Sequence, residues 1–193
     1  MLGLKLPTDP RWVKIAEKSL EDILTDHAYC EQKAATTCIS LIQTFPEKVR
    51  MVEELAPIVT EEWGHFRMVL QELKKRDLQL GRQRKDQYVN IMMAYIKKDG
   101  SRESRLTERL LLSALIEARS CERFRLLSLN IADDDLKDFY HKLMISEAGH
   151  YRLFLDLAKH YGGEEKVKAR WQEILDEEAR VLATLELRGD RMH

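Results

Sequence analysis

The chain has 193 residues, enough for one ordinary domain with a substantial core, and the expected organisation is a single domain over 1–193. Hydrophobic residues make up 44% and charged residues 34%, with 8 glycines, 4 prolines and a net charge of −1. That balance points to a soluble, mostly helical protein, and it excludes a strong overall attraction to nucleic acid, so any basic surface must be a local patch. No apolar run approaches the roughly 20 residues that span a bilayer. "MLGLKLPTDPRW" lacks the apolar core of a signal peptide, so the cytoplasm is the expected location. Cys30, Cys38 and Cys121 are odd in number and form no C-x-x-C pair, which suits reduced packing residues.

In chain order, Asp9-Pro10 predicts the start of a short helix over "RWVKIAEKS". Ser19 is the expected cap of a first long helix that runs to about Phe45, where Pro46 breaks it. A second long helix runs from about Glu47 to Arg76. The polar, glycine-containing segment "DLQLGRQRKD" predicts a loop, "QYVNIMMAYIKK" a shorter helix, and "DGS" its stop. A third long helix covers about Arg102 to Asn130, and "ADDD" is a turn rich in capping side chains. The fourth covers about Leu136 to Tyr161, with Gly162 as its left-handed cap. A final amphipathic helix spans about Glu164 to Leu187, and the tail "RGDRMH" is expected to be a frayed, polar chain end rather than an adhesion motif. Two tight hairpins of long helices joined by a long connection predict an all-α four-helix bundle with one long crossover, plus short N-terminal, crossover and C-terminal helices.

Two stretches then stand out, "EEWGHF" at 61–66 and "SEAGHY" at 146–151, each holding Glu-x-x-His. In the second long helix the inward stripe reads Met51, Leu55, Ile58, Glu62, His65, Val69; in the fourth it reads Leu136, Tyr140, Leu143, Glu147, His150, Phe154, Leu157. Alternating steps of three and four keep these residues on one face. A carboxylate in the middle of an apolar stripe is costly unless something compensates it. The first long helix carries Glu31 within Leu24, His27, Ala34, Cys38, Leu41 and Phe45; the third carries Glu117 within Leu110, Ala114, Cys121, Phe124, Ser128 and Ile131. Glu31 precedes Glu62 by 31 residues and Glu117 precedes Glu147 by 30, and in each hairpin the two lie at matching distances from the turn. All four glutamates and both histidines therefore fall at one level of the bundle. Four carboxylates and two imidazoles suit two iron or manganese ions, whereas zinc more often takes thiolates or more histidine.

Blander readings stand beside this one. A lone Glu-x-x-His is commonly a solvated helix face. Glu122 competes with Glu117 because "SCER" resembles "YCEQ" around Glu31, but it stands over one helical turn too close to the following turn, so Glu117 is preferred. His27 reads as a core histidine or a partner of Glu31, and His141, His160 and His193 as surface residues. Trp63 lies inside the motif and is a candidate for lining the site. The basic residues Arg82, Arg84 and Lys85, with others near the crossover, are either solvated surface or a phosphate-binding face.

The segments "LTDHAYCEQKAA", "EEWGHFRMVLQEL", "LLLSALIEARSCERFRLL" and "MISEAGHYRLFLDLA" resemble the tRNA-(2-methylthio-N6-isopentenyladenosine) hydroxylase family of the ferritin-like di-iron carboxylate superfamily, over about residues 9–187. The resemblance implies metal ligands at Glu31, Glu62, His65, Glu117, Glu147 and His150. It further implies two iron ions, O2 as co-substrate, an electron donor such as a reductase or ferredoxin-like protein, and the tRNA anticodon loop as partner, with no membrane involved. Two other readings remain open. A ferritin-like oxidase or peroxidase acting on iron, peroxide or a small molecule would need no basic face, and a helical interaction protein would hold no metal.

Overall fold

The computed structural model describes residues 2–193. Seven helices and no strand occur among them: α1 (Arg11–Glu17), α2 (Leu20–Thr44), α3 (Val49–Lys75), α4 (Gln87–Tyr95), α5 (Arg102–Asn130), α6 (Asp134–Gly162) and α7 (Glu164–Thr184). The all-α bundle with a long crossover is thus the observed architecture. α2 and α3 form one antiparallel hairpin, α5 and α6 the other, and the two meet along α3 and α6. α4 lies in the crossover, α7 packs on α4, α5 and α6, and α1 closes the opposite end against α2 and α5.

Local chemistry sets the helix limits. Asp86, Ser101 and Asp133 each cap a helix by accepting a hydrogen bond from the backbone N–H three residues on. Ser19 stands at the start of α2 as expected, but its side chain makes no capping bond. The expected left-handed cap at Gly162 is displaced by one residue. Gly163 carries the positive φ of 83°, while Gly162 is still helical. Gly162 is needed for closeness instead: a Cβ there would meet Thr107 Cγ2 at 2.6 Å and Val167 Cγ2 at 2.8 Å.

The tail overturns two expectations. α7 ends at Thr184, and the residues after it do not fray but fold back over α1 and α2. Trp12 Nε1 donates to the Arg188 carbonyl at 2.9 Å, and the Met192 N–H donates to Asp26 Oδ2 at 2.7 Å. Met192 and His193 are buried, so His193 is not a surface residue. The crossing at Gly189 is so close that a Cβ would meet the Ile15 backbone at 2.5 Å. An Arg-Gly-Asp whose glycine is pressed on a helix is unavailable as an exposed loop. His141 and His160 are exposed.

The apolar core comes in two pieces. One is built on Cys38, Leu41, Met51, Leu55, Leu110, Ala114, Phe154 and Leu157, the other on Leu24, Ala28, Val69, Leu73, Phe124, Leu136, Tyr140 and Leu143. On each long helix the gap between the two pieces is where the glutamates and histidines stand. Burial of each large apolar side chain stabilises the fold by about 1.5–3 kcal/mol, and the pieces above and below hold the polar layer in place.

Candidate metal centre

Glu31 on α2, Glu62 and His65 on α3, Glu117 on α5, and Glu147 and His150 on α6 converge in that gap, all buried. Their donor atoms form two groups, Glu31–Glu62–His65–Glu147 and Glu62–Glu117–Glu147–His150, each compact enough to hold one ion. Glu62 and Glu147 belong to both. His65 Nδ1 lies 3.5 Å from an oxygen of each of Glu31, Glu62 and Glu147. His150 Nδ1 lies 2.7 Å from Glu62 Oε1 and 3.4 Å from Glu147 Oε2.

Proximity here is not hydrogen bonding. Both Glu62 oxygens, His65 Nδ1, Glu147 Oε1 and both His150 ring nitrogens are buried without a hydrogen-bond partner among the described residues. Buried polar atoms are almost always paired, so six orphaned donors and acceptors facing one another make this layer a candidate cation site. Carboxylate oxygens and imidazole nitrogens fit a di-iron site.

The charges confirm how far the layer is from balance without metal. Burial, then the Glu147 charge, holds the Glu117 carboxyl well above its usual range; burial and Glu62 do the same to Glu147. Burial and the Glu31 charge raise Glu62. Burial also works to raise Glu31, but the facing imidazoles of His27 and His65 outweigh it and hold Glu31 low. Burial opposes the charge on His65 and His150, yet the surrounding carboxylates push both up to about 10.

A surrounding shell orients the layer. His27 Nε2 meets Glu31 Oε1 at 2.6 Å, and its ring is packed by Phe124, Phe139 and Tyr140. Glu122, the competitor of Glu117, lies elsewhere: it accepts from the Thr8 N–H at 2.9 Å and pairs with Arg119 at 2.9 Å. Trp63 stays half-exposed and stacks on Phe66. Glu61 escaped the sequence reading. Its Oε2 stands 3.3 Å from His150 Nε2 at the outer rim of the layer, and burial notwithstanding, Ser146 and His150 hold its carboxyl low. Only its place beside Glu62 signalled it. Of the basic residues, Arg82 and Lys85 are exposed, whereas Arg84 pairs with Asp22 at 3.0 Å and Asp190 at 3.3 Å.

Comparison with known proteins gives matches in both sequence and fold. A model of the family described as tRNA-(MS[2]IO[6]A)-hydroxylase (MiaE) matches residues 2–193. The tRNA 2-(methylsulfanyl)-N(6)-isopentenyladenosine(37) hydroxylase of Pseudomonas putida is 35% identical over 172 residues, covering 89% of this chain and 82% of that one. The hydroxylase of the same name from Salmonella typhimurium is 26% identical over 211 residues, covering 84% and 77%. Among solved structures, "Protein 43 with aldehyde deformylating oxygenase activity from Synechococcus" superimposes with a TM-score of 0.92 at 31% identity, over 98% of this chain and 94% of that one.

Proposed function

The chain belongs to the tRNA-(2-methylthio-N6-isopentenyladenosine) hydroxylase family, and from that premise we propose that it hydroxylates the isopentenyl side chain of this modified adenosine in tRNA, using the buried glutamate–histidine layer as its metal centre. The observation that carries the reading is the pair of donor groups that share Glu62 and Glu147 inside a layer of orphaned polar atoms. Glu31, Glu62, His65, Glu117, Glu147 and His150 would hold the metals. Glu62 and Glu147 are common to both groups and would offer a carboxylate oxygen to each. Two iron ions bound there would supply what no side chain can, the oxidising power to put one atom of O2 into an unactivated C–H bond, with two electrons from a partner and two protons taking the other atom to water.

The chain's own residues do the rest. His27 fixes the Glu31 carboxylate through its 2.6 Å contact. The two apolar core pieces keep bulk water from the layer. Glu61 at the rim, an ionised carboxylate that accepts from Ser146 and faces His150 Nε2, is placed to orient that ring where the layer meets solvent. A target base in a single-stranded anticodon loop can splay out into a protein pocket without melting a duplex.

Arg82 and Lys85 are exposed cations of the crossover that would grip phosphates, with Arg84 holding the tail through Asp190. The electron donor is a reductase or ferredoxin-like protein, the location is the cytoplasm, and residues 1–193 act as one ferritin-like domain.

The test supplies iron-loaded protein with tRNA carrying the prenylated, methylthiolated adenosine, a competent reductant and 18O2. Gain of a single labelled oxygen in the side chain is the expected result; unmodified nucleoside under those conditions would overturn the reading. The likeness to the Synechococcus protein favours a second reading, in which the same centre acts on an aldehyde. Loss of the formyl group from an aldehyde substrate, with tRNA left untouched, would select it.

A further inference from the structure

Away from the glutamate–histidine layer, four side chains with metal-binding atoms meet where the tail crosses α2. Asp26 and Cys30 stand one helical turn apart on α2, Asp86 caps α4, and His193 comes from the tail. Cys30 adjoins Glu31 in sequence but points about 100° away from it around the helix, so it serves a different face. One donor atom from each of Cys30, Asp86 and His193 falls within 4.8 Å of the others.

The separations are informative. His193 Nδ1 lies 3.3 Å from Asp86 Oδ2 and 3.8 Å from Cys30 Sγ, and Cys30 Sγ lies 4.0 Å from Asp26 Oδ2. A tetrahedral zinc ion with ordinary bond lengths places its nitrogen and oxygen ligands about 3.3 Å apart, and its nitrogen and sulfur ligands about 3.5 Å apart. The His193–Asp86 edge matches the first value, and the His193–Cys30 edge exceeds the second by a few tenths of an ångström.

The surroundings hold the donors in the orientation that a ligand needs. His193 Nε2 is tied to Ser120 Oγ at 2.9 Å, which leaves Nδ1 facing the cluster, and the ring stacks on Tyr88 with an interplanar angle of 17°. Asp86 uses Oδ1 to accept from the Val89 N–H and turns Oδ2 toward His193. Asp26 is fixed by the Met192 N–H. Metal-bound histidines and carboxylates are oriented in this way by their outer partners. Burial and charge act differently on the donors: against burial, His193 holds the Asp86 carboxyl low, and burial pushes the Cys30 thiol well up. Asp26 and Asp86 are both buried, and burial leads the causes that raise the Asp26 carboxyl, with the Asp86 charge contributing. The nearest guanidinium, Arg191, is 3.9 Å from Asp26 and is shared with Asp190.

We propose that Cys30, Asp86 and His193 bind a zinc ion, with Asp26 as the fourth ligand or as the acceptor for a zinc-bound water. A thiolate, an imidazole and carboxylates form a mixed set suited to a borderline-soft divalent cation, unlike the oxygen-rich layer next door. Binding releases the Cys30 proton to solvent and involves no change of oxidation state. The ion pins three segments remote in sequence, namely α2, the start of α4 and the tail, across the seam between α2 and α5. That is a structural task, distinct from catalysis.

The experiment uses cobalt(II) as a spectroscopic stand-in, added to metal-free full-length protein. A thiolate-to-cobalt charge-transfer band should appear, should be displaced by zinc, and should vanish in Cys30→Ser and in His193→Ala. The glutamate–histidine layer contains no thiolate ligand, so a band that is lost in Cys30→Ser reports this site, and iron content measured separately reports the other. Cys30→Ser and Asp86→Asn are near-isosteric, and Asn retains the cap of α4; retained helicity in both keeps the result interpretable. Zinc bound by wild type in addition to iron, and lost in both variants, supports the site. No thiolate band, or a band that survives Cys30→Ser because it arises at Cys38 or Cys121, overturns it and leaves a hydrogen-bonded latch.

Discussion

Arg119→Met should be among the most destabilising single changes in this chain. Arg119 is fully buried on the side of α5 that faces away from the metal layer. Its guanidinium donates to Glu178 at 2.6 and 3.0 Å, to Glu122 at 2.9 Å, to Thr8 Oγ1 at 3.3 Å and to the Leu6 carbonyl at 3.0 Å. Methionine fills much of the volume but leaves Glu178, itself fully buried, with only the Tyr88 hydroxyl at 3.2 Å. Removing one partner of a buried ion pair costs about 3–5 kcal/mol because the other charge is stranded. For a chain of this length each kcal/mol moves Tm by about 2–4 °C, so the drop should be about 6–20 °C. Thermal unfolding followed by far-UV circular dichroism, at fixed metal content, measures it. Adding Glu178→Gln removes the stranded charge and should restore part of the loss. A single variant whose Tm stays within about 2 °C of wild type would refute the reasoning.

Three further outcomes are expected. Because His65 and His150 are pushed up to about 10, both hold protons at neutral pH that metal must displace, so metal affinity rises with pH up to that value and loading releases protons; calorimetry in two buffers of different ionisation enthalpy checks this, and a pH-independent affinity contradicts it. Gly189→Ala forces a methyl group onto the Ile15 backbone and should lift the tail while leaving the bundle folded, seen as faster tryptic cleavage at Arg188 and Arg191 with unchanged helicity. Reversing Arg82 and Lys85 to Glu should weaken tRNA binding and lessen the dependence of log K on log salt by about 1.5–2, the share of two phosphate contacts; an equal slope in both proteins would remove these residues from the interface.

The bundle and its polar layer were legible because they are written locally. Steps of three and four carry the apolar stripes of α3 and α6 unbroken through Glu62, His65, Glu147 and His150, and every residue of those two stripes is buried. Distance from the turn separated Glu117 from Glu122 for the same reason: in a tight hairpin, sequence distance maps onto height. What was hidden depends on contacts between segments far apart in the chain. α5 is covered on two sides, so Arg119, Glu122 and Arg123 lie buried outside the stripe that periodicity reveals. The polar tail looked frayed because its partners, Trp12, Ile15 and Asp26, lie more than 160 residues earlier. At the end of α6 a glycine pair left the register ambiguous by one: Gly162 is helical and has no room for a methyl against Thr107 and Val167, while Gly163 takes the positive φ.

Oxidation of a prenylated tRNA base by this buried layer is tested by mass analysis of tRNA nucleosides from cells lacking the gene, complemented with wild type or with Glu147→Ala. Glu147 takes part in both donor groups and its removal leaves the apolar stripes of α6 intact. The hydroxylated nucleoside should return with wild type alone, while the variant accumulates as a folded helical protein and the unhydroxylated precursor persists. Equal amounts of the hydroxylated nucleoside in all three strains would contradict the account.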